Sequence, residues 1–259
     1  MWYFLVARID RTGEINYNSF GSKMEIITYR NARDIDVYFE EYDWIYYNID
    51  YKGFKKGQLK CPYEPRTCNI GYLGEGKYGK YENNKNTKNY DGWRNMLKRC
   101  YNPKDKQYSR YGGRGVTVCD NWLNFQNYAE WRENNFYQVN DEKMQLDKDI
   151  LFKGNKIYSP ETCIFVPQRI NELFVKSDKT RGDLPIGVRQ LPYNKFQAYY
   201  NNYNGKFISL GVYDTPEEAF LSYKQFKENL IKQVADEYKP YIPKELYEAM
   251  YRWEVDIND

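Results

Sequence analysis

The sequence predicts an α+β chain built from several modules, and three observations carry that prediction. At 259 residues the chain exceeds one ordinary small domain. Short runs of β-branched and aromatic residues fill residues 1–81, whereas helical spacing of apolar residues first appears at 90. Between them lies the polar stretch 82–89, Glu-Asn-Asn-Lys-Asn-Thr-Lys-Asn, which reads as a hinge. The expected modules are a small β-rich N-terminal module over 1–81, a core over 90–178, a three-stranded antiparallel sheet with one helix over 183–239, and a terminal helix over 240–259.

In the first module the strand-like runs are 2–9, 25–29, 36–39 and 44–49, with Gly13, Gly21, Gly53 and Gly57 marking turns among them. The Gly-rich stretch 71–79 reads as an ordered loop closing a small barrel-like module. In the second, Trp93, Met96, Leu97 and Cys100 recur at i, i+3, i+4, i+7, and Pro103 stands just beyond. A helix is predicted over 90–101. A strand over 116–119 follows, then Asp120 as an N-cap and a helix over 122–134. Residues 144–151 and 162–166 read as strands separated by a loop, with a helix starting at 168–174.

The third module is the most legible. Strands are predicted at 186–190, 195–202 and 207–211, with Asn204-Gly205 as the hairpin turn between the last two. Thr215-Pro216-Glu217-Glu218 then supplies an N-cap, a proline at the first helical position and a capping-box partner. The helix carries Ala219, Phe220, Tyr223, Phe226, Leu230, Ile231 and Val234 on one stripe and runs to about 238, before Pro240. A last helix is expected over 244–253.

Composition excludes several chemistries. The chain has no histidine, so Ser-His-Asp and Cys-His catalysis and histidine metal ligands are all excluded. Acid–base work falls to carboxylates, Tyr, Lys, Cys or metal-bound water. The five cysteines, Cys61, Cys68, Cys100, Cys119 and Cys163, form no CxxC pair. Neither zinc nor a disulfide framework is expected, and a reducing, cytoplasmic location is. No apolar run approaches the ~18 residues of a membrane span, so no membrane partner is expected. The opening residues, followed at once by Arg8 and Asp10, do not read as a signal peptide.

The net charge of +3 conceals a strong pattern. Residues 82–132 hold 10 basic and 5 acidic side chains, and residues 179–211 hold 5 and 1. Residues 212–259 reverse the balance with 6 and 11. Basic segments interleaved with Tyr, Asn and Gln are the composition of a polyanion-binding surface.

Strand alternation then assigns faces in the third module. Phe196, Ala198 and Tyr200 point one way, and Lys195, Gln197, Tyr199 and Asn201 the other; Ile208 and Leu210 point to the helix and leave Phe207 and Ser209 outside. Gly187-Val188-Arg189-Gln190, Lys195-Phe196-x-Ala198, Leu210-Gly211-x-Tyr213-x-Thr215-x-Glu217-Glu218-Ala219 and Tyr223 strongly resemble the AP2/ERF DNA-binding domain over about 185–228. The resemblance implies double-stranded DNA as partner. Arg189, Tyr193, Tyr199, Asn201 and Ser209 would face the groove, and Lys195 would meet a phosphate. Several of these positions are Arg or Trp in plant members, and Leu191 stands where Arg is usual, so the plant base preference does not transfer.

The stretch Leu146-Asp147-Lys148-Asp149, Asn155, and Tyr158-Ser159-Pro160-Glu161-Thr162-Cys163-Ile164-Phe165-Val166-Pro167-Gln168-Arg169-Ile170-Asn171 resembles phage and intron-encoded HNH homing endonucleases. So does the upstream run Tyr108…Tyr111-Gly112-Gly113-Arg114-Gly115-Val116-x-Val118-Cys119-x-x-Trp122. That resemblance implies a degenerate HNH-like ββα core. Asp147 stands where the family has its histidine base and Thr162 where it has its central Asn, while Asn171 lies near the third position. On this reading Asp147, Asp149 and Asn171 are candidate ligands for Mg²⁺ or Mn²⁺, and Asp147, Asp149 and Tyr158 are candidate catalytic groups. The alternative keeps the ββα fold as a binding scaffold, with Asp147 and Asp149 as turn carboxylates.

Residues 112–115, Gly-Gly-Arg-Gly, present Arg114 and backbone N–H groups either to a phosphate or to the fold alone. The expected function is DNA binding by a phage-type protein of homing-endonuclease descent, with metal-dependent nicking or cleavage as its enzymatic form. The alternatives are a catalytically silent DNA-binding regulator and a module that binds or inhibits a host protein.

Overall fold

The computed structural model describes residues 9–175, 183–201 and 205–259. The chain mixes helix and sheet, 33% and 26% of it respectively, so neither dominates and the α+β expectation holds at that level. It divides into two compact units, Met1–Arg132 and Glu133–Asp259. Among the described residues no helix is long and apolar enough to cross a membrane.

In the first unit β1 (Ile15–Tyr17), β2 (Lys23–Asn31), β3 (Asp34–Phe39) and β4 (Trp44–Ile49) pair antiparallel in chain order. Period-two alternation puts Met24, Ile26, Ile35, Val37 and Phe39 on one face, all fully buried. Helix α1 (Tyr51–Lys55), whose first turn is capped by Asp50, adds Phe54 to that core. A buried carboxylate ties the following loop to the sheet. Glu64 accepts from Ser22 Oγ at 2.8 Å and from Asn18 Nδ2, and pairs with Arg66. Among the described residues β1 and β4 are the outer strands, and the four form an antiparallel meander. The predicted strand 2–9 lies almost wholly outside the described residues.

Residues 82–89 correct the reading as a hinge. They hold a tight hairpin of β5 (Tyr81–Glu82) and β6 (Lys85–Asn86), turned by Asn83 and Asn84 with φ of +49° and +59°. Asparagine tolerates that left-handed backbone, so a run that looks like a linker makes a turn. Thr87 then caps α2 (Lys88–Tyr101), its Oγ1 accepting from the Tyr90 N–H. The buried side of α2 is Tyr90, Trp93, Met96, Leu97 and Cys100, as the periodicity predicts. Trp93 Nε1 donates to the Trp122 carbonyl at 2.7 Å, and Phe125 sits edge-on to Tyr90.

After β7 (Thr117–Val118), Asp120 lies inside a one-turn helix, Asp120–Leu123, and not at a cap. Asn124 takes over capping for α3 (Phe125–Asn135), its Oδ1 accepting from the Gln126 N–H at 2.9 Å.

The second unit contains β8 (Met144–Asp147), β9 (Ile157–Tyr158), β10 (Ile164–Pro167) and α4 (Gln168–Leu173). β8 and β10 pair antiparallel, with Asp147 opposite Ile164 and Gln145 opposite Val166. Then come β11 (Val188–Leu191), β12 (Lys195–Asn201), β13 (Phe207–Tyr213), α5 (Pro216–Tyr238) and α6 (Lys244–Tyr251). The capping box at Thr215 and Glu218 forms as the sequence predicts. Helix α5 serves two cores. Its first turns put Ala219, Phe220 and Tyr223 against Val188 and Ala198 of the sheet. Its later turns put Ile231, Val234 and Ala235 with Val166, Ile170, Leu246 and Met250.

Candidate nucleic-acid interface

The sheet of β11, β12 and β13 sets one face against α5 and leaves the other outward. The covered face is set by shape as well as by polarity. Gly187 has φ of +75° and lies so close to the Tyr223 ring that a Cβ would collide with it. Tyr200 packs on Phe226 with ring centroids 5.4 Å apart, and Lys227 lies 4.6 Å over the Tyr200 ring. Burial lowers the Lys227 ammonium to about 8.

The outward face has an ordered arrangement. Arg189 Nε donates to Gln197 Oε1 at 2.8 Å, and Gln197 Nε2 donates to Ser209 Oγ at 2.7 Å. Tyr199 and Phe207 stack with an interplanar angle of 19° and centroids 5.6 Å apart. The Arg189 guanidinium lies over both rings, 4.8 Å from Phe207 and 5.7 Å from Tyr199. Its Nε is thereby fixed, and its two terminal nitrogens show no hydrogen bond among the described residues. A rigid aromatic pair beneath an arginine held by its Nε presents a flat, cationic fork, the geometry that meets guanine edges and phosphates.

The structure places the predicted residues of this face as follows. Arg189, Tyr199 and Ser209 fall into the connected group just described. Asn201 is exposed at the far end of β12, opposite Phe207. Lys195 is at the near end, ion-paired with Asp214. Tyr193 is 95% exposed at the tip of the β11–β12 hairpin, where it and Asn194 both take positive φ. Gln197 and Phe207 complete the group but were not among the predicted contacts. Strand alternation put both on the outer face, and that was the signal available for them. Of the predicted Asn204-Gly205 turn, Asn204 lies outside the described residues, and Gly205 has φ of +73°.

The segment from β8 to α4 is arranged differently. Asp147 Oδ1 accepts the backbone N–H of Asp149 at 2.8 Å and of Ile150 at 2.7 Å, which ends β8 and bends the chain. The strand expected to reach 151 therefore stops at 147. Burial, and after it the Asp149 charge, push the Asp147 carboxyl up to about 6. Asp149 Oδ2 pairs with Lys148 Nζ at 3.1 Å, and Asn171 Nδ2 donates to Gln145 Oε1 at 2.6 Å.

Asn155 closes the loop between β8 and β9, donating to the Lys148 and Ile157 carbonyls at 2.7 Å each. Thr162 Oγ1 donates to the Ile157 carbonyl, so β10 begins at Ile164 and not at 162. Tyr158 is 1% exposed.

The sequence reading assigns Asp147, Asp149 and Asn171 to a Mg²⁺ or Mn²⁺ centre. Such ions gather about six oxygens. Here each side chain is drawn to a separate protein partner, and no group of three His, Cys, Asp or Glu side chains suited to a metal forms among the described residues.

Arg114 is exposed at the end of a one-turn helix, Gly112–Arg114, in the first unit. Gly112 packs so tightly on the Cys100 carbonyl that a Cβ would overlap it. That close approach gives the glycine a role in the fold. No family model, no curated protein sequence and no solved structure matches this chain.

Proposed function

We propose that this is a double-stranded DNA-binding protein that engages DNA through the outward face of β11–β13, with Arg189 as its principal contact and Gln197, Ser209, Tyr199 and Phe207 holding that contact in place. The observation that carries the reading is the fixed guanidinium of Arg189, tied at Nε to Gln197 and seated on two stacked rings. An arginine pre-ordered in this way loses little side-chain freedom on binding, so more of each hydrogen bond appears as affinity. The resemblance of residues 185–228 to AP2/ERF domains supports the same surface. On this reading the ββα unit, of HNH homing-endonuclease descent, acts as a scaffold.

The test is a titration of the full chain against duplex DNA over a range of salt. Binding is expected to weaken steeply with salt, and Arg189→Ala is expected to cost about 1–3 kcal/mol of binding free energy. Equal affinity of wild type and Arg189→Ala would overturn the proposal. Incubation with supercoiled plasmid and Mg²⁺ or Mn²⁺ is expected to give no nicking that Asp147→Ala removes. Nicking that does depend on Asp147 would restore the endonuclease reading.

A further inference from the structure

We propose that the first unit carries a second DNA-binding surface, separate in the sequence from the sheet, that grips the phosphate backbone without reading bases. This rests on the reading that the chain binds duplex DNA. The surface is the segment after α2, where Lys104, Lys106, Arg110 and Arg114 are all exposed within eleven residues.

Charge balance sets this segment apart. From Gly92 to Cys119 the chain has seven basic residues and one acidic residue, Asp105. Three of the seven, Arg94, Lys98 and Arg99, are part-buried on α2. Arg94 pairs with Asp91, and Arg99 lies 4.9 Å over the Tyr111 ring. The one carboxylate is used by the backbone, since Asp105 Oδ1 accepts the Gln107 N–H at 2.8 Å.

The backbone holds the remaining charges close together. From Asn102 onward the chain makes consecutive tight turns. Asp105 N–H donates to the Asn102 carbonyl, Tyr108 to Asp105, Arg110 to Gln107, Tyr111 to Tyr108 and Arg114 to Tyr111, at 2.8–3.0 Å. Gly112, seated on the Cys100 carbonyl, anchors these turns to the end of α2. Between the basic residues stand Gln107, Ser109 and Gly113, exposed and uncharged. Lysines and arginines ordered on a compact platform of small neighbours repel one another, and a row of phosphates relieves that repulsion by releasing counterions. Contacts of this kind position a protein on DNA and carry no base information.

The test compares full-length variants by fluorescence anisotropy on a mixed-sequence linear DNA duplex across a KCl series. One variant combines Lys104→Gln, Lys106→Gln, Arg110→Gln and Arg114→Gln. A second, Arg110→Lys with Arg114→Lys, keeps the charge. The third is Arg189→Ala. If all four side chains meet phosphates, the neutral variant lowers the slope of log affinity against log salt by roughly 3–4. The charge-keeping variant is expected to hold the wild-type slope, and Arg189→Ala to change it by about 1 at most. A neutral variant with the wild-type slope would overturn the second surface and leave the sheet reading standing. A wild type that binds no duplex even at low salt would overturn both.

Discussion

In the β8–β10 hairpin and the α4 helix that follows it, the polar side chains turn to the protein itself: Asp147 to two backbone N–H groups, Asn155 to two carbonyls, Asn171 to Gln145. On the sheet of β11–β13 the polar row Arg189, Gln197 and Ser209 is also linked, but it runs along an outer face and ends in the terminal nitrogens of an arginine. The first pattern spends its hydrogen-bonding capacity on holding a loop in shape. The second orders its members and keeps donors for something else. Polar residues on strands are therefore not a sign of function by themselves, and what separates the two cases is where the hydrogen bonds end.

Three substitutions sharpen or break this contrast. The largest effect is expected at Asn155. Asn155→Ala removes both amide donors from the loop carbonyls and is expected to cost about 2 kcal/mol of stability, read as a lower denaturant midpoint. A midpoint unchanged from wild type would show that the loop is held by other means.

Asp147→Asn comes next, and its effect depends on pH. The carboxyl sits at about 6 in the folded chain, above its ordinary value. The folded state therefore holds its proton more tightly, and the stability this gives is full below pH 4 and lost as pH rises to about 6. Wild type is expected to lose stability over that window relative to Asp147→Asn, which keeps an acceptor oxygen and cannot ionise. Parallel stability curves for the two proteins between pH 4 and 7 would contradict the burial of this carboxyl.

The smallest effect on stability is expected at Gln197. Gln197→Ala should stay within about 0.5 kcal/mol of wild-type stability, the range for surface substitutions. It should nevertheless weaken DNA binding, because Arg189 loses the partner at its Nε. A stability loss as large as that of Asn155→Ala, with unchanged binding, would make the sheet face as structural as the hairpin.

Much of the fold was legible because it rests on local signals. The capping box at Thr215 and Glu218, the apolar stripe of α2 and the strand alternation of β12 and β13 are each set by residues within a few positions of one another. The misread places share a cause. Asn83 and Asn84 take left-handed backbone to turn a hairpin where polarity suggested a hinge, and Asp147 ends its strand by accepting two N–H groups. In both, a side chain or backbone conformation that composition does not encode decided the outcome.

The candidate site divides along the same line. The sequence by itself determined which residues share the outer face of β11–β13, because side chains on a strand alternate with period two. It also determined that no histidine was available anywhere. Only the tertiary structure decided that Gln197 links Arg189 to Ser209, that Tyr199 and Phe207 stack beneath the guanidinium, and that Asp147, Asp149 and Asn171 turn to separate partners. Those outcomes depend on cross-strand register and on where a loop returns, and such contacts join residues whose proximity no local pattern records.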